Sequence, residues 1–320
     1  MSDPHDKKLH LPVLQSLSTT SSVFDLLDDN LPTQASPSSI IAILAEPASP
    51  AIPIGGKVPR DHISYSEIAC WLECNFRHML KYLESIDLDG PSIHTEFGQV
   101  VHDVLEEFLK TRVVPDLELA RQSLTERFTA INESPAPREW HDVIPTVMAE
   151  IPGFMDVTFP GWEFIASEQE LLELIPNETK TFKGYIDGVI RVPKKARKGS
   201  KTTTLPPVFE YWIIDWKTCS YFWNAEKRQD FKKQLQLVLY KHFYAKKFGI
   251  DPDLIRCGFV LLSRTGKTKC QFVPVSVGPK TAKRGEEIMM RMLGSVRKGF
   301  FPKNRDSCKY CLYHKTQYCP

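Results

Sequence analysis

The sequence lacks any apolar run able to cross a bilayer: stretches such as Ser39 to Ala48 are short and broken by proline. It also shows no signal-peptide core, because acids and a histidine mix with the basic residues at its start. These features set the expectation of an intracellular protein without a membrane partner, cytoplasmic, or nuclear or organellar in a eukaryote. A strong charge of one sign is missing as well. The 41 Lys and Arg nearly cancel the 39 Asp and Glu, leaving a net charge of +2. Any basic surface must therefore be local. No internal repeat is visible, so 320 residues hold one large domain or two small ones.

What is present is ordinary for a globular chain: 42% hydrophobic and 25% charged residues, enough to build a sizeable core. Residues 1–57 are rich in Ser, Pro, Thr and Asp, and read as a disordered or loosely docked arm, a place for a protein partner. The globular part, 58–320, opens at Ser64-Tyr65-Ser66-Glu67, where Ser64 caps a helix expected to run to about Tyr82. A second helix is expected over Thr95–Thr111, with weaker helical periodicity through Leu117–Ile131 and Trp140–Phe154.

From there the pattern changes to strands: Trp162–Leu174, Lys180–Val192, Pro207–Lys217, Leu254–Ser263 and Lys269–Val277. A strong helix at Glu226–Phe248 interrupts them, and a last helix spans Thr281–Lys298. The expectation is an α/β fold with a mixed central sheet flanked by helices. Its parts are a helical region (62–155), the sheet (160–277), and a C-terminal helix with a cysteine cluster (279–320).

Two strands carry acids inside apolar runs: Gly184-Tyr185-Ile186-Asp187 and Ile213-Ile214-Asp215-Trp216-Lys217. Side chains alternate along a strand, so Asp215 and Lys217 share a face. Two carboxylates with a lysine beside one are what metal-assisted phosphodiester hydrolysis needs. The Trp216 carbonyl completes a plausible oxygen set for Mg²⁺. The plain alternative is a surface ion pair, which the apolar flanks disfavour, since a buried acid is costly without a cation.

His102, one turn after Gly98, could add a nitrogen ligand, although a lone helical histidine is more often structural. Gln236 and Tyr240, four apart, could meet a phosphate or base, or simply belong to an amphipathic helix. Of eight cysteines, Cys308-x2-Cys311-x7-Cys319 closes the chain and suits a metal, zinc or iron–sulfur. Without a targeting segment, ligation is favoured over disulfides. A fourth ligand could come from Cys74, with Cys70 one turn before it, while Cys219, Cys257 and Cys270 read as small core residues. A basic run including Lys194, Lys195, Arg197 and Lys198 joins the two acidic strands, and Tyr221, Phe222 and Trp223 could stack on unpaired bases.

In this order the motifs resemble the RecB-like branch of the PD-(D/E)XK nucleases, over roughly 62–320. The likeness extends to its iron–sulfur members, the AddB nuclease domain and the CRISPR-adaptation exonucleases. The resemblance implies a restriction-endonuclease-like core. It also implies His102, Asp187 and Asp215 as ligands of Mg²⁺ or Mn²⁺, Lys217 as catalytic, and Gln236 and Tyr240 positioning DNA. Cys74, Cys308, Cys311 and Cys319 would hold a [4Fe–4S] cluster that staples the tail to the first helix, with structural zinc as the alternative. Asn75 follows Cys74 where such proteins often have proline, and the last cysteine gap is longer than usual.

The expected activity is a metal-dependent DNA exonuclease working on single-stranded ends or flaps in replication, recombination or repair. A structure-specific endonuclease and a non-catalytic DNA-binding or assembly subunit stand as alternatives.

Overall fold

The computed structural model describes residues 60–132, 138–194 and 208–320. The expected arm lies outside them, as do Lys195, Arg197 and Lys198. Strand β1 (His62–Ser64) leads directly into α1 (Tyr65–Glu73), and Ser64 caps the helix as its spacing to Glu67 predicts, accepting from the Glu67 amide. The helix does not run on to Tyr82. Cys74 takes an extended conformation (φ −160°, ψ 114°), ending α1 and starting the short α2 (Asn75–His78), which a π-helical turn at Met79–Leu83 continues. Contacts from the C-terminal segment hold this break: Phe76 N–H donates to Pro302 O, and Asn304 Nδ2 donates to Glu73 O at 2.8 Å.

Helix α3 (Ile93–Thr111) starts slightly earlier than expected because Ser92 and Thr95 form a reciprocal capping box. Helices α4 (Leu117–Ala130) and α5 (Arg138–Thr158) follow, the latter passing through Pro145 and Pro152. Strands β2 (Glu163–Leu174), β3 (Thr181–Pro193) and β4 (Phe209–Cys219) then precede α6 (Ala225–Gln229) and α7 (Phe231–Phe248). One continuous helix was expected there. Asp230 divides it by capping α7, its side chain accepting from Lys232 N–H. Strands β5 (Ile255–Ser263) and β6 (Cys270–Val275) and helix α8 (Pro279–Arg297) complete the core.

The sheet is six-stranded and mixed. Strand β1 is parallel to β3 and β4 to β5, while β2–β3, β3–β4 and β5–β6 are antiparallel. Strand β2 runs along one edge of β3. The other edge is divided: β1 pairs with Thr181–Lys183 and β4 with Gly188–Pro193. Residues 184–187 are left without a ladder on that side, so the sheet splays just where Asp187 and Asp215 would face each other.

Alternation distributes the sheet's apolar side chains to two cores. Phe182, Ile186, Ile213, Phe259 and Leu261 pack with α7 and α8, while Ile190, Ile214, Trp216, Val260 and Leu262 pack with α3, α4 and α5. Strand β5 is buried on both faces, which explains its unbroken apolar sequence. Close approaches need glycine at two points. A Cβ on Gly258 would stand 2.2 Å from the Phe272 ring, and one on Gly184 would stand 2.7 Å from the Tyr240 ring. The α/β fold with a mixed sheet between helices is as the sequence predicts. Among the described residues no helix is long and apolar enough to cross a membrane.

Candidate active site

The site forms where β3 and β4 part, and the Trp216 peptide is its hub. Freed from the ladder, Trp216 N–H donates to Asp187 Oδ2 at 2.9 Å. Its carbonyl faces His102 Nε2 at 3.1 Å, and His102 Nδ1 lies 3.6 Å from Asp187 Oδ2. Helix α3 brings His102 over the sheet because Phe97, Val101 and Leu105 anchor its apolar stripe in the core. The Trp216 indole is buried in that same core, so the backbone hub is rigidly held.

Asp215 is 1% exposed and its Oδ2 lies 2.5 Å from Lys217 Nζ. That ammonium is the partner of Oδ2, while Oδ1 has no hydrogen-bond partner. Burial pushes the Asp187 and Asp215 carboxyls up to about 6, against the pull of the Lys217 ammonium. Burial also favours neutral His102, holding its imidazole below the ordinary range. For Lys217, burial works against the charge, but Asp215 and Asp187 outweigh it and raise its pKa. A buried carboxylate with one oxygen lacking a donor, beside a second carboxylate, is an environment that a divalent cation relieves.

Glu168 joins the site and was not expected. Among the described residues, His102, Glu168 and Asp187 each offer a ligand atom within 4.8 Å of the others. Asp215 is outside that trio, its carboxylate turned to Lys217. In the β2–β3 register, Ser167 pairs with Gly188 and Gln169 with Ile186, so Glu168 stands opposite Asp187. Two acids facing across strands repel, and Glu168 also has φ +45°, a left-handed backbone unusual for a non-glycine residue. In sequence it is one acid among several in a charged strand, and the left-handed turn that aims it has no sequence signal.

The donors fit Mg²⁺ or Mn²⁺. Neighbouring ligands of an octahedral cation with bonds of roughly 2.1 Å stand about 3 Å apart, close to the separation of His102 Nε2 and the Trp216 carbonyl. Asp215 Oδ1, buried and without a donor, adds to the case.

Gln236 Nε2 donates to the Tyr240 hydroxyl at 3.3 Å on α7, beside the gap in β3. Burial is the main reason the Tyr240 hydroxyl pKa is raised, and the charges of Asp215 and Asp187 add to it. Lys194 follows β3, its amide donating to Val208 O.

Far from the acids in sequence order, Cys74, Cys308, Cys311 and Cys319 line one small cavity with Asn304 and Tyr313. Asn304 N–H points at Cys74 Sγ at 3.4 Å. Cys70 is buried on α1 and is not in that lining, which separates the two candidates for the first position. Among the described residues no three of these sulfurs fall within 4.8 Å of one another, whereas Zn–S bonds of about 2.3 Å put tetrahedral sulfurs about 3.8 Å apart. Cys257 and Cys270 are core residues, as expected, and Cys219 is partly buried.

Comparison with known proteins adds the family. No curated protein matches the sequence. In structure the chain is similar to an exonuclease candidate from Eubacterium rectale, with a TM-score of 0.50 and 13% identity over 81% of this chain and 90% of that one. That likeness speaks to the fold. The sequence model of the PD-(D/E)XK nuclease superfamily matches residues 62–320, and the chain belongs to that superfamily.

Proposed function

We propose that this chain is a Mg²⁺- or Mn²⁺-dependent DNA exonuclease of the RecB-like branch, acting on single-stranded ends or flaps in replication, recombination or repair. The observation that carries the reading is the meeting of His102, Asp187, Asp215 and Lys217 around the Trp216 peptide, with Asp215 buried and its Oδ1 without a donor. His102, Asp187, Asp215 and the Trp216 carbonyl would hold the cation, with Glu168 a further ligand. When bound, the cation supplies charge neutralisation at the phosphate and a more acidic water.

The chain's own groups do the rest. Trp216 N–H fixes the Asp187 carboxylate, and the buried Trp216 indole fixes that amide. Lys217, charged and anchored by Asp215, orients the attacking water and offsets charge growing on the phosphate. Neutral His102 keeps a lone pair available. Gln236 and Tyr240 contact the DNA, and the Lys194–Lys198 region meets its backbone.

Cys74, Cys308, Cys311 and Cys319, which line one cavity, hold a [4Fe–4S] cluster in this reading, with structural zinc as the alternative. Its role is a staple between the C-terminal segment and the break after α1. Residues 58–320 act as the nuclease domain inside the cell, and 1–57 as an arm for a protein partner.

The test is digestion of end-labelled single-stranded, duplex and circular DNA with Mg²⁺ or Mn²⁺. Loss of label from linear single strands, with circles intact, is expected. Lys217→Ala should lower kcat by about 10²–10³-fold, the scale of a lost transition-state donor. Intact DNA with both metals, or full activity in Lys217→Ala, would refute the reading, and cut circles would turn it toward an endonuclease.

A further inference from the structure

The stretch of β3 unpaired on one edge opens a groove whose lining includes His62, Tyr65, Ser66, Lys183, Tyr185 and Tyr240. It contains no acidic side chain and three tyrosines. Strand alternation puts Lys183 and Tyr185 on the same face as Asp187. At about 3.3 Å per residue, Tyr185 lies about 6.6 Å before Asp187 and Lys183 about 13 Å before it. Tyr185 is 43% exposed; its Oη donates to Glu170, and the Lys183 ammonium lies over one face of its ring, 5.6 Å from the centroid and 3.7 Å from Glu170 Oε1, an ion pair that a phosphate would replace. An exposed ring held by its hydroxyl, with a cation beside it, is a preformed stacking platform. The groove also feels the acids: Asp215 contributes to raising the hydroxyl pKa of Tyr65, behind the larger effect of burial.

We propose that this groove is the path of the unpaired DNA strand next to the scissile phosphate, with Tyr185 stacking on the nucleotide immediately beside the cut and Lys183 pairing with the following phosphate. The proposal rests on the nuclease reading above and adds the residues that would make the substrate single-stranded. A base must be free of its partner strand to lie on Tyr185, so duplex DNA is excluded until it frays. Gly184 belongs to the same device. It lets the Tyr240 ring lie against the backbone between the two residues, on the face opposite their side chains.

The test is an abasic walk. Fluorescence anisotropy with EDTA present measures binding of labelled single-stranded oligonucleotides carrying one abasic nucleotide at successive positions. Wild type should bind about tenfold more weakly when the abasic nucleotide falls at one position. Tyr185→Ala should lose that penalty, and Tyr185→Phe should keep it. Lys183→Ala should reduce the slope of log Kd against log salt by about 0.7, one single-strand phosphate contact. A flat walk in wild type, or a penalty that persists in Tyr185→Ala, overturns the proposal. Since binding is read without metal, position-dependent binding with no cleavage would remove the nuclease reading and leave the groove standing.

Discussion

Asp215→Asn should stabilise the protein in EDTA while abolishing its thermal response to Mg²⁺. Burial moves the Asp215 carboxyl from an ordinary 3.8 to about 6. Above about pH 6 the folded state therefore carries an ionised group that costs it about 3 kcal/mol relative to the unfolded chain. The sign is that of an acid with a raised pKa: the cost is absent below about pH 4 and complete above about pH 6. Asparagine, neutral at every pH, removes it.

Part of the gain is offset because Lys217 loses its partner. That side chain is 35% accessible, however, which lessens the cost of leaving it unpaired. A net gain of about 1–2 kcal/mol remains, which for a domain of this size is roughly 3–6 °C in Tm. In wild type, Mg²⁺ at a hundredfold over its Kd should add about 2.7 kcal/mol, and in Asp215→Asn almost nothing. Thermal melts at neutral pH, with EDTA and with Mg²⁺, measure both. A lower Tm for the variant in EDTA would show that the Lys217 pairing outweighs the burial cost of Asp215, and an undiminished Mg²⁺ shift would move the metal elsewhere.

Glu168→Gln should weaken metal-dependent stabilisation by about 10–100-fold in apparent Kd, read from the Mg²⁺ dependence of Tm; an unchanged curve would leave Glu168 outside the metal site. Cys311→Ser should remove brown colour and blue-region absorbance and lower Tm, since a bound cluster contributes folding energy. Zinc in the wild-type protein by elemental analysis would replace the cluster. Gly258→Ala should cost about 1–3 kcal/mol in denaturant melts, because its methyl meets the Phe272 ring and the Val273 carbonyl in a filled core. Unchanged stability would mean that the ring moves freely.

Strands β3 to β6 were legible because each holds an apolar, β-prone run with buried residues, and burial writes itself into composition. The capping of α1 was legible for a similar reason: Ser64 and Glu67 are adjacent on the first turn, so the interaction is local. The breaks were not. Cys74 interrupts a helix whose periodicity continues, because Pro302 and Asn304, more than two hundred residues away, supply the hydrogen bonds that compensate. Strand β1 was equally hidden, since three residues carry no period, and it exists only as the partner of Thr181–Lys183.

By itself the sequence determined the α/β class, the acid-bearing strands and the types of ligand available, since alternation and apolar flanking depend on neighbours along the chain. Only the tertiary structure decided that β1 and β4 share one edge of β3 and leave 184–187 open. It alone turned the Trp216 peptide into a hub, brought Glu168 opposite Asp187 through a left-handed residue, and separated Cys74 from Cys70. The physical reason is that each of these depends on which groups remain unpaired after strands and helices have packed, and that is settled by contacts distant in sequence.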